Sequence, residues 1–199
     1  MTYAIIGFGS IGQALANAFA RNGIEVAVAT TRDPESFAAD AAAIGTTIIP
    51  KTLAEAVKAD IIVLAVRFEA HLDVAKALPS WQGKTVVDAM NSNLPLEDMN
   101  GLLSSAFVSQ AFSGAKVVKG WNHLVAATLA TDPEVDGGHR VVFLSSDAVD
   151  AIPPVAALAK RLGFAPVDLG KLDEGGALVH ARGRVWGPLI FKDLFKKEQ

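Results

Sequence analysis

The chain has 199 residues, 51% of them hydrophobic, with 18 Lys and Arg against 21 Asp and Glu for a net charge of −3, and it contains no cysteine. That balance argues against disorder and gives no electrostatic case for a nucleic-acid partner, while the absence of thiols excludes disulfides, thiolate metal sites and cysteine nucleophiles. Four scattered histidines suggest no metal site, no apolar run approaches the ~20 residues that span a bilayer, and Met1-Thr2-Tyr3-Ala4 lacks a basic leader, so a cytoplasmic domain acting on small molecules, with no membrane role, is expected.

The apolar run 3–6 predicts a buried strand and 13–20 a helix that stops at Asn22-Gly23. Between them Gly7-Phe8-Gly9-Ser10-Ile11-Gly12 has the spacing G-x-G-x-x-G. Each glycine has a physical role: Gly7 permits a sharp turn, Gly9 removes a Cβ where a pyrophosphate approaches, and Gly12 lets the helix close on the strand. The helix N-terminus then offers unpaired N–H groups and a partial positive charge to phosphates. Glycine turns also close ordinary βα units; the strand and helix on either side favour a dinucleotide site here.

The run 24–30 predicts the second strand, whose tip senses the adenosine ribose in such folds. Thr31-Arg32 stands there, a cation and a hydroxyl that suit a 2′-phosphate better than a free 2′-hydroxyl. Asp33 reads as the N-cap of a helix beginning Pro34-Glu35-Ser36, which would occupy its carboxylate. NADPH is therefore expected over NADH, the alternative being that Arg32 is a solvated loop cation.

Strands follow at 46–49, 59–66, 84–89 and 115–119, with helices over 33–43, 52–58 and 102–112. The β-branched run 59–66 suits a central parallel strand covered on both faces. His71 reads as a solvated helix residue. A further strand at 140–144, a helix at 148–162 capped by Ser145-Ser146-Asp147, and a short strand at 165–169 complete the sheet. Val185, Trp186, Leu189, Ile190 and Leu194 then suit one helical face, which carries the expectation of a homodimer. The fold class is α/β: a single Rossmann, doubly wound, mostly parallel sheet over 1–199, with a core at about 1–122 and a short C-terminal extension at about 123–199.

With these residues in place, the chain resembles the NADPH-dependent reductases of the deazaflavin coenzyme F420 and the related dinucleotide-binding oxidoreductases. The likeness rests on the glycine turn, Thr31-Arg32, the strand beginning Asp60-Ile61-Ile62-Val63, Lys116-Val117-Val118-Lys119-Gly120-Trp121-Asn122, and Val167-Asp168-Leu169-Gly170. It implies NADPH along the strand C-termini, its 2′-phosphate on Thr31-Arg32, and a second ring stacked on the nicotinamide. Two positions depart from the family: Arg67 replaces a proline, and Gly120 replaces an alanine.

The expected cofactor-binding residues are Gly7, Phe8, Gly9, Ser10, Ile11, Gly12, Thr31, Arg32, Ser36, Ala65, Val66, Arg67 and Asn91. Trp121, Asn122 and His123 are the expected substrate contacts, Trp121 against a ring. His180, Arg182 and Arg184 form a basic turn that an anionic tail would suit. No catalytic side chain is expected, because hydride transfer between two rings requires none. The functional expectation is an NADP(H)-dependent oxidoreductase reducing F420 or another flavin-like acceptor. A reductase of a small imine or carbonyl, and a non-catalytic NADP-sensing module, remain as alternatives.

Overall fold

The computed structural model describes residues 1–181. Its first half alternates strand and helix: β1 (Tyr3–Ile6), α1 (Ser10–Arg21), β2 (Val26–Ala29), α2 (Ala38–Ile44), β3 (Ile48–Pro50), α3 (Leu53–Ala56), β4 (Ile61–Leu64), α4 (His71–Ala75), β5 (Thr85–Asp88), α5 (Ser104–Ala111) and β6 (Lys116–Gly120). Then come α6 (Ala126–Ala130), a hairpin of β7 (Glu134–Val135) and β8 (Gly138–His139), β9 (Val141–Ser145), α7 (Ile152–Arg161) and β10 (Ala165–Asp168).

Eight strands form one sheet in the order β10-β9-β6-β5-β4-β1-β2-β3. β1 to β6 run parallel, β9 is antiparallel to β6, and β10 is parallel to β9. This is the doubly wound, mostly parallel sheet that the pattern of runs implies. The segment after residue 122 extends the same sheet through β9 and β10.

Strand side chains alternate between two apolar layers. Ile5, Ile61 and Val63 join Phe19, Val28 and Leu158 on one face, while Ala4, Ile6, Ile62 and Leu64 join Trp81, Val86 and Phe112 on the other. Burial on both faces explains why β4 reads as an unbroken apolar run, since neither face has water to offer a polar side chain. On α1, Ala14, Leu15, Ala18 and Phe19 share the buried face, and Arg21 in the last turn donates to Ala130 O (2.8 Å) and Thr131 O (3.0 Å) at the C-terminal end of α6.

The β1–α1 turn is packed to contact. A Cβ on Gly12 would lie 2.0 Å from Gly7 O, and one on Gly7, whose φ is +108°, would lie 2.3 Å from Ala65 O. Gly120 has a comparable explanation: Leu144 Cδ2 from β9 occupies the space its Cβ would need, at 2.9 Å. The family's alanine would crowd this leucine.

Several local expectations change. α1 begins at Ser10 rather than residue 13, so Gly12 is inside the helix. The helix expected from 148 begins at Ile152, because Pro153 and Pro154 lack the N–H that later helical turns require. Ser146 still accepts from Ala148 N (3.1 Å), but Asp147 accepts instead from Leu172 N (3.0 Å). His71 is 1% exposed rather than solvated, surrounded by Phe68, Phe107 and Phe112. The apolar pattern from Val185 to Leu194, and Arg182 and Arg184, lie outside the described residues.

The glycines should separate in a stability measurement. Gly7→Ala is expected to cost about 2–4 kcal/mol in urea unfolding, combining a disallowed φ with a buried clash. Gly9→Ala is expected to change stability by less than roughly 0.5 kcal/mol, since a Cβ there meets nothing within 4 Å.

Candidate active site

The turn at the end of β1 and the ends of β2, β4, β5 and β6 open on one edge of the sheet, and the site lies along it. Two cavities occupy this edge and share Val66 as a wall. Between them lie the glycine turn and the first turn of α1, which has no acidic residue to oppose an anion. Gly9 faces open space, as a backbone that must admit a pyrophosphate should. Ser10 is exposed at the start of α1, and Ile11 lines the second cavity. Phe8 contributes backbone only: its ring turns inward against Phe37 at 5.6 Å and is 6% exposed.

The first cavity, about 450 Å³, is lined by Thr30, Thr31, Arg32, Asp33, Pro34, Thr52 and Asp73, the last paired with Lys76, with Leu53, Val66, Ala70 and Val74 among its apolar walls. Thr30 Oγ1 accepts from Arg32 N (2.9 Å) and so fixes the tip of β2. The Arg32 guanidinium lies over the Phe37 ring at 5.5 Å, and among the described residues no carboxylate is within ion-pair distance of it. Its charge is therefore available to an anion.

Two residues here depart from the sequence reading. Asp33 does precede a 3-10 turn, Pro34–Phe37, but its side chain makes no capping bond. Its carboxylate faces the same cavity as Arg32, so it is not removed from cofactor recognition in the way its N-cap position suggested. The Ser36 hydroxyl donates to Asp33 O (2.7 Å) and stabilises the turn; Ser36 does not line the cavity.

The second cavity, about 360 Å³, is lined by Ile11, Ala65, Val66, Ala89, Met90, Asn91, Asn122, His123, Leu124, Val125 and Ala126. Its amides hold each other: Asn91 Nδ2 donates to Asn122 O (2.8 Å), and Asn122 Nδ2 donates to Asn91 Oδ1 (3.0 Å) and Val179 O (2.7 Å). Val125, 54% exposed, forms an apolar lip. His123 is held from behind, its Nε2 donating to Val141 O (3.1 Å) and its ring 4.9 Å from Phe143. Arg67 is exposed next to the shared wall and lines neither cavity.

Trp121 is not where a substrate contact was expected. It is 1% exposed, packed edge-on to Phe164 at 6.4 Å, and lines neither cavity. A left-handed backbone, φ +58°, at this residue turns its indole into the core. The ring-facing surface passes to Val125 and the Asn91–Asn122 pair.

Behind the second cavity lies a polar cluster that the sequence reading missed. Asp88 and Lys119 are paired in register on β5 and β6 and are 0% and 2% exposed. Lys119 Nζ lies 3.9 Å from Asp88 Oδ2 and donates to Ser105 Oγ (3.1 Å) and Ser104 Oγ (3.4 Å). Ser105 donates to Asp88 Oδ2 (2.6 Å), and Asp88 Oδ1 accepts from Met90 N (2.9 Å), setting the start of the Asn91 loop. Burial pushes the Lys119 ammonium below the usual lysine range, opposed by the charge of Asp88. The signal in sequence was an Asp and a Lys each at the end of an apolar strand; only the register joins them.

A larger cavity, about 650 Å³, lies beside Thr2, Gly23, Glu25, Lys58 and Arg161 at the opposite ends of the strands. It is away from the glycine turn, and its charges are mixed.

This fold and crevice define a dinucleotide-binding protein of the doubly wound α/β class. A family model described as NADP oxidoreductase, coenzyme F420-dependent, matches residues 2–92. A hypothetical protein from Sinorhizobium meliloti is 41% identical with a TM-score of 0.87, the match covering 93% of this chain and 92% of that one. A candidate F420-dependent NADP reductase from Arthrobacter sp. FB24 is 27% identical with a TM-score of 0.72, covering 95% and 94%. Among curated proteins, metalloreductase STEAP3 of Rattus norvegicus is 26% identical over 84% of this chain and 33% of its own length. The chain spans a third or less of the curated relatives it matches. Over residues 2–92 the chain is thus similar to the F420-dependent NADP oxidoreductases, and along nearly its whole length its fold is similar to that of a candidate NADP reductase.

The residues present fit such a cofactor: a turn with open space at Gly9, an Arg32 with no ion-pair partner among the described residues, and a cavity bordered by the Asn91 and Asn122 amides. Two titrations test this assignment. Arg32→Ala is expected to weaken NADPH by roughly tenfold to a hundredfold, about 1.5–3 kcal/mol for charge-assisted contacts to phosphate, and to leave NADH nearly unchanged. Gly9→Val is expected to keep its circular dichroism spectrum and lose NADPH binding; normal binding would make the turn purely structural.

Proposed function

We propose that this chain is an NADPH-dependent reductase whose second substrate is a planar, flavin-like redox ring, with F420 as the family's own example. The observation that carries the reading is the pair of cavities meeting at Val66, one with an uncompensated cation and one with an apolar lip and paired amides. Thr31 and Arg32 would hold the 2′-phosphate, and the N–H groups of Ser10 and Ile11 the pyrophosphate. Asn91 and Ala65 would border the nicotinamide. When bound, NADPH supplies the hydride; with one proton from solvent this gives the two-electron-reduced acceptor and NADP⁺.

The protein's part is position and exclusion of water. Asn91 and Asn122 lock each other's amide orientation, since reversing either would set oxygen against oxygen. Ile11, Val66, Met90 and Leu124 give the cavity its apolar walls. An acceptor ring would approach over Val125, the exposed apolar side chain at the cavity mouth. Such a surface suits a flat ring better than a small polar carbonyl. Among the described residues no cluster could hold a metal ion.

Stopped-flow oxidation of NADPH at 340 nm, with F420, FMN, riboflavin and a panel of small imines and carbonyls, tests the reading. Reduction of at least one flavin-like acceptor is expected, with Val125→Asp slowing it roughly tenfold or more by replacing an apolar contact with a charge. Turnover of imines or carbonyls alone would replace the acceptor class, and no turnover with any acceptor would favour a sensor.

A further inference from the structure

The segment 175–181 forms the back of the acceptor end and is tied down at two successive residues. Val179 O accepts from Asn122 Nδ2 (2.7 Å), and His180 Nδ1 is 3.3 Å from Ser104 Oγ. At its start the segment is wedged: a Cβ on Gly175 would lie 1.7 Å from Leu169 O, and one on Gly176 would lie 3.2 Å from Ser145 Cβ. At its other end Val179 and Ala181 are buried, 1% and 7% exposed, and the polar contacts fix which way the segment faces.

These contacts have a direction. The Lys119 ammonium has only hydrogens to offer, so Ser104 Oγ accepts from it (3.4 Å) and is left to donate its own hydrogen to His180 Nδ1. The imidazole accepting that hydrogen is neutral, with its proton on Nε2. We propose that Lys119, Ser104 and His180 are positioning residues for the acceptor end of the crevice, holding 175–181 against Asn122 while His180 is neutral. The inference rests on the proposed function only in naming what the segment borders.

Protonating His180 undoes the chain in two ways. A hydrogen on Nδ1 points at an oxygen that already accepts from Lys119, leaving the serine hydrogen without its acceptor. It also brings a second positive charge near the buried Lys119 ammonium. Among the described residues, the groups facing His180 are Lys119 of β6, Asp88 of β5 and Ser104 of α5. Burial first, and then the Lys119 charge, hold the imidazole below its ordinary value of 6.5, against a smaller opposing effect of Asp88. A depressed pKa in the folded state means that the contact is fully present above 6.5 and lost as pH falls through the folded value. Release of His180 would free Val179 and remove one partner of Asn122.

Hydrogen–deuterium exchange of the intact chain tests this without needing an acceptor. Protection factors, corrected for the intrinsic pH dependence, are compared at pH 8 and pH 5.5 for peptides within 172–181 and for β4 and β5. In wild type, protection of 172–181 is expected to fall at the lower pH, by up to about tenfold for one histidine, while β4 and β5 keep theirs. His180→Gln, whose amide oxygen can accept from Ser104 at either pH, is expected to remain protected at both. Ser104→Ala leaves the Asp88–Lys119 pair in place and is expected to lose protection at both. Constant protection in wild type, a His180→Gln profile that follows wild type, or full protection in Ser104→Ala would each overturn the proposal. Failure to reduce any flavin-like acceptor would leave this result untouched, so the two readings fail separately.

Discussion

The contact between the carbonyl of Gly7 and the backbone of Gly12 is the constraint on which the rest depends. No side chain larger than hydrogen fits at Gly12, where a Cβ would lie 2.0 Å from Gly7 O, and Gly7 is hemmed in by Ala65 O on its other side. α1 can close on β1 only under those conditions, and only then does its N-terminus open beside the tips of β2 and β4. The two cavities, their shared wall at Val66 and the reach of Arg32 all follow from this closure. Gly9 differs from its neighbours in having open space where its Cβ would be, so packing does not require glycine there, and the proposed function is what gives its smallness a purpose.

The second organising element is electrostatic. Burying Asp88 and Lys119 in the sheet costs solvation that a single contact at 3.9 Å does not return; the hydrogen bonds of Ser105 and Met90 N offset part of that cost, and Ser104 adds a longer one. Those added partners are what give the pair reach. Through Met90 it sets the loop that presents Asn91, and through Ser104 it meets His180 in the segment that holds Asn122. His180, half-buried, accordingly faces Ser104, and burial and the Lys119 charge lower its pKa.

Much of the fold was legible in the sequence because a parallel strand buried on both faces and a helix buried on one leave different apolar periods, and glycine and proline mark the ends. The glycine turn was legible for a related reason: its spacing and its flanking strand and helix stand in one short stretch, and α1 does start at Ser10 directly after the turn. Residues whose role depends on side-chain direction were not legible. Trp121 reads as a crevice aromatic until its positive φ turns it toward Phe164. His71 reads as exposed because its neighbours Asp73 and Lys76 are, although its own face of the helix meets three phenylalanine rings. Asp33 occupies the expected N-cap position without making the cap. Lys119 and Asp88 become partners through strand register, which neither segment contains alone.

A backbone and side-chain amide NMR titration with NADP⁺ tests the central claim, that one dinucleotide spans both cavities across the glycine turn. The expected result is a single saturating set of shifts at Gly9, Ser10 and Ile11, at Thr31 and Arg32, and at the side-chain amides of Asn91 and Asn122. Shifts confined to the groove around Thr2, Glu25 and Arg161, or an unchanged glycine turn at saturating NADP⁺, would contradict it.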